Sequence, residues 1–76
     1  MKPGDIIIAR VSGVALAARH EIRTQSTYEI GTHAIVIADN NPWEIKFDLV
    51  LVLMITTPEA AIKDLVYVSS NLWDTV

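Results

Sequence analysis

The apolar residues of this chain fall into unbroken runs more often than into an alternation with polar ones. The longest run covers residues 49–55, bounded by Asp48 on one side and by Thr56-Thr57-Pro58 on the other. Successive side chains of a strand point to opposite faces, so an unbroken apolar strand needs cover on both faces. Its length and its β-branched residues favour a strand over a buried helix. Residues 32–38 have the same character and predict a second central strand.

Three further segments have the length and composition of strands. Residues 6–11 follow the turn signal Pro3-Gly4-Asp5 and are almost entirely apolar. Residues 43–47 alternate large apolar and charged side chains, which is typical of a half-exposed strand. Residues 65–68 are predicted to form the last strand, and residues 69–76 a tail.

Two segments predict helices. From Val14 to about Arg23 the small apolar residues recur at helical spacing, and Ser12 is a suitable N-cap. A second helix of under two turns is expected over residues 57–64, with Pro58 at its first position. The order β-α-β-β-β-α-β predicts an α+β fold, either a small mixed sheet or a curled barrel of about five strands, with one moderate and one short helix.

Length and composition limit the function classes. A chain of 76 residues is a single domain spanning residues 1–76, and its 51% hydrophobic content argues against disorder. A net charge of −3 argues against binding to nucleic acid. Neither a signal peptide nor a membrane-spanning run is recognisable, so no membrane partner is expected. We expect a cytoplasmic protein, or a virion protein if a phage encodes it.

Few residues have the pattern of a catalytic or metal site. His33 opens a central strand, and Asp39 or Glu44 could orient it if it acted as a base. No cysteine is present, the glycines are isolated, and neither histidine has recognised metal-ligand spacing. Arg10, with Arg19 and Arg23, is better explained as part of a solvated surface than as a basic patch. We therefore expect no cofactor and no metal.

Two short stretches resemble known families. Gly4-Asp5-Ile6-Ile7-Ile8 and Thr32-His33-Ala34-Ile35-Val36-Ile37 resemble the NlpC-like, papain-fold hydrolases, most closely their circularly permuted branch. That resemblance covers about the first 45 residues and implies that His33 is the base and Glu44 its orienter. The nucleophile of that family is a cysteine, which this chain lacks.

A second resemblance is to MazF-type toxins, small barrels that open with Gly-Asp-Ile. Their later strand begins with an Arg-Pro pair, which is replaced here by Thr32-His33. The replacement removes the arginine that RNA cleavage of that type is expected to use.

Taken together, these features predict a small module that works by binding or assembly, such as a phage virion accessory or a protein that binds a host factor. The alternative is a small hydrolase or nuclease that uses His33, so enzymatic activity is left open, with a non-catalytic role favoured. The unbroken apolar strands predict a homo-oligomer or a protein partner. Leu72 and Trp73, which a free tail would expose to water, are the predicted interface residues.

Overall fold

In a computed structural model, the described residues 1–17, 25–39, 48–55 and 65–76 form a curled antiparallel sheet. Its strands are β1 Ile6–Ala9, β2 Gly13–Ala17, β3 Gln25–Tyr28, β4 His33–Ala38, β5 Leu49–Met54, β6 Val66–Ser69 and β7 Trp73–Thr75. A 3-10 turn at Ser70–Leu72 joins β6 to β7 and is the only helical element in the described ranges.

The sheet has the strand order β3-β2-β6-β5-β4-β1-β7, and every pair of neighbours is antiparallel. Although β3 and β7 lie at opposite ends of this order, the Tyr28 and Trp73 rings pack at a centroid distance of 4.9 Å. The sheet must therefore curl until its two edge strands approach each other. Its twist and the small residues inside the curve permit this closure.

The core fills the concave side of the sheet. Alternate residues of each strand face inward, and several of them are alanine or valine, which suit a tightly curved interior. The buried cluster consists of Ile7, Ala9, Ala15, Tyr28, Ala34, Val36, Val50, Val52, Met54, Val66, Val68 and Trp73. A single continuous core thus draws on all seven strands.

The α+β prediction is wrong, because the described residues contain no α-helix. The first four residues of the predicted helix from Val14 to Arg23 belong instead to strand β2, while residues 18–23 lie outside the described ranges. Alanine has a high helix propensity, but β2 pairs with β3 on one side and with β6 on the other. Ala15 is buried and Val14 is half exposed, so the alternation of a strand overrides the helical spacing.

Other predictions had mixed outcomes. The strands predicted at residues 6–11, 32–38, 49–55 and 65–68 are present as β1, β4, β5 and β6 with slightly different ends. In the polar connection predicted at 24–27, residues 25–27 belong to β3 and residue 24 lies outside the described residues, while part of the predicted tail forms β7. The sheet is purely antiparallel and not mixed. The predicted strand at 43–47 and the predicted helix at 57–64 lie outside the described residues.

The longest apolar run, at residues 49–55, is covered completely on one face of the sheet and only partly on the other. Val50, Val52 and Met54 belong to the core. On the opposite face Leu49 is buried, whereas Leu53 and Ile55 are exposed to 41% and 53%. An apolar surface therefore remains on the convex side of β5.

Candidate interaction surface

Six apolar side chains lie on the convex side of β1, β4 and β5, on the same face as His33. Direct cross-strand pairing places Ile6 opposite Ile35 and Ile35 opposite Leu53, so these three lie in one row on one face. In the neighbouring row, Ile8 lies opposite His33. The His33 carbonyl accepts a hydrogen bond from the backbone N–H of Ile55 at 2.9 Å, so Ile55 continues this row on β5. We call the following residues the outer patch: Ile6, Ile8, Ile35, Ile37, Leu53 and Ile55.

The outer patch exists because three apolar runs were placed side by side. Residues 6–8, 34–38 and 49–55 contain no polar residue, so each run must present apolar side chains to both faces of the sheet. The inward set fills the core, and the outward set stays accessible. Ile6, Ile37 and Leu53 are each about two-fifths exposed. An antiparallel sheet ordinarily places polar residues on its second face, so this face departs from the rule.

A β-bulge adds to the outer patch. The β4–β5 register shifts between Val36 and Ala38, so Ile37 is the extra residue of β4 at this point. Bulges increase local twist and redirect side chains. Here the extra residue is an isoleucine that is 41% exposed.

Charged groups lie at one margin of this surface. Asp74 is opposite Ile8 in the β1–β7 register, and its carboxylate is 3.6 Å from the Arg10 guanidinium. Both side chains are more than half exposed, so this pair contributes little to stability. The Arg10 guanidinium also donates a hydrogen bond to the carbonyl of Asn71. The margin thus holds both signs of charge within a few ångströms.

Of the residues predicted for catalysis, His33 and Asp39 are not brought together. His33 and Asp39 stand at opposite ends of β4, and at about 3.4 Å per residue they are roughly 20 Å apart. Asp39 therefore cannot orient His33. Glu44, the other predicted orienter, lies outside the described residues, as do His20, Arg19 and Arg23. A catalytic role for His33 stays a prediction.

An open cavity of about 260 Å³ lies at the other end of β4 and β5. It is lined by Met1, Asp39, Asp48, Leu49, Val50 and Ser70. Two carboxylates face this cavity, but the described part of the chain contains no group of three or more potential metal ligands. Within that described part, the cavity shows no recognisable metal-binding arrangement.

The two predicted interface residues have different environments. Trp73 is 3% exposed and packs against Tyr28 in the core of its own chain, which explains why a tail residue is so large and apolar. Leu72 is 36% exposed in the 3-10 turn. Their interface role stays a prediction. Sequence reasoning did not select the outer patch, although the runs at residues 6–8 and 34–38 contained its signal.

Comparisons with protein-family models, with curated proteins and with solved structures found no match to this chain. The resemblances to NlpC-like hydrolases and MazF-type toxins therefore stay predictions, as does a phage origin. Among the described residues, no helix has the length and apolar character required to cross a membrane.

Proposed function

We propose that this protein is a binding or assembly module that uses the outer patch to contact another protein surface. The observation that supports this proposal is the row Ile6–Ile35–Leu53, which presents three apolar side chains on the convex face of the sheet. Soluble proteins seldom expose large contiguous apolar patches, and those that do generally use them as interfaces.

The construction of this surface also favours binding over catalysis. Its side chains project from three hydrogen-bonded strands, so their positions are fixed before a partner arrives, and little ordering entropy is lost on association. The six residues themselves carry no nucleophile, acid or base, although His33 lies opposite Ile8 on the same face. A rigid apolar area with polar groups at its margin is the usual anatomy of a protein interface.

A site-specific photo-crosslinker tests the proposal. Replacing Leu53 with a photoreactive phenylalanine derivative places the probe within the outer patch, at the β5 end of the row. The same replacement at Ile30, which is 69% exposed in the turn before β4, is the matched control. We expect irradiation of cells from the native source to give a discrete protein adduct from position 53 and none from position 30. Equal labelling at the two positions, or no adduct at position 53, would contradict the proposal.

A further inference from the structure

We draw no further inference here: the strongest candidate, the convex apolar face of β1, β4 and β5, belongs to the surface already described, and nothing in the structure shows what covers it.

Discussion

Gly13 and Tyr28 form a close pair in the β2–β3 register. A Cβ atom at position 13 would lie 2.5 Å from the Tyr28 hydroxyl oxygen and 2.8 Å from the ring carbon that bears it. Tyr28 is 1% exposed and its ring packs against Trp73, so it has little freedom to move away. Glycine is required at position 13 by this close approach of the ring.

Gly13→Ala should therefore lower the free energy of unfolding by about 1–3 kcal/mol, the usual cost of overpacking a core. Urea denaturation followed by circular dichroism measures the change. Ser12→Ala, at the exposed neighbouring position, is the control and should have little effect. A denaturation midpoint for Gly13→Ala equal to that of the control would contradict the placement of Tyr28.

The polar atoms of the two buried aromatic rings predict a second effect. Neither the Tyr28 hydroxyl nor the Trp73 indole nitrogen has a hydrogen-bond partner within the described part of the protein. Leaving a buried polar group unpaired costs about 1–3 kcal/mol, so removing it should not destabilise the protein. We expect Tyr28→Phe to keep or raise the free energy of unfolding, again by urea denaturation. A loss of more than about 1 kcal/mol would show that this hydroxyl is hydrogen-bonded in solution.

Strand β7 has only three residues, but it contributes to both the sheet and the core. It extends the sheet beyond β1 by backbone pairing from Ile7 to Ala9, and it delivers Trp73 to the core. The 3-10 turn positions it, because the Trp73 N–H donates to the Ser70 carbonyl and the Arg10 N–H to the Leu72 carbonyl. The last segment of the chain is thus an integral part of the fold.

Truncation after Ser70 should prevent cooperative folding. Losing a buried tryptophan costs about 3–5 kcal/mol, a large part of the roughly 4–11 kcal/mol expected for a domain of this length. Thermal unfolding followed by circular dichroism should show no transition in the truncated chain. Leu72→Ser keeps β7 and alters a side chain that is one-third exposed, so its melting temperature should stay near that of the wild type. A truncated chain that still unfolds cooperatively would contradict this role of β7, and a loss of oligomerisation in that chain would support an interface at Leu72 and Trp73.

At the scale of the whole molecule, one short chain must cover two faces of a sheet. Curling covers the concave face, because β3 and β7 come into contact through Tyr28 and Trp73. On the convex face Leu49 and Tyr67 are buried although neither belongs to the main core, whereas the outer patch stays accessible. Association through the outer patch would complete the cover.

If the folded state is a dimer, stability must depend on concentration. Mass action then raises the melting temperature as the chain concentration increases, because dissociation accompanies unfolding. We expect a rise of a few degrees over a hundredfold range for the wild type and for Ile30→Lys. Leu53→Lys should melt at a temperature that does not change with concentration. Differential scanning fluorimetry at several concentrations makes this comparison, and an invariant wild type would argue for a monomer.

The strands that rest on long apolar runs can be located from the sequence alone. The length and the β-branched residues of the runs at 6–8, 34–38 and 49–55 favour strands over buried helices, and the turn signal at Pro3-Gly4-Asp5 indicates where the first strand begins. The expectation that this sheet needs cover on both faces also follows from these runs, because strand geometry sends alternate side chains to opposite sides.

The remaining features of the fold depend on contacts between segments that are distant in the chain. Residues 13–17 suit a helix by alanine content and a strand by alternation, and pairing with β3 and β6 selects the strand. β3 and β7 are too short and too polar to be recognised before their partners are known. Strand order and register likewise place Ile6, Ile35 and Leu53 in one row, although they are far apart in the chain. Such contacts are non-local, so a local sequence pattern cannot specify them.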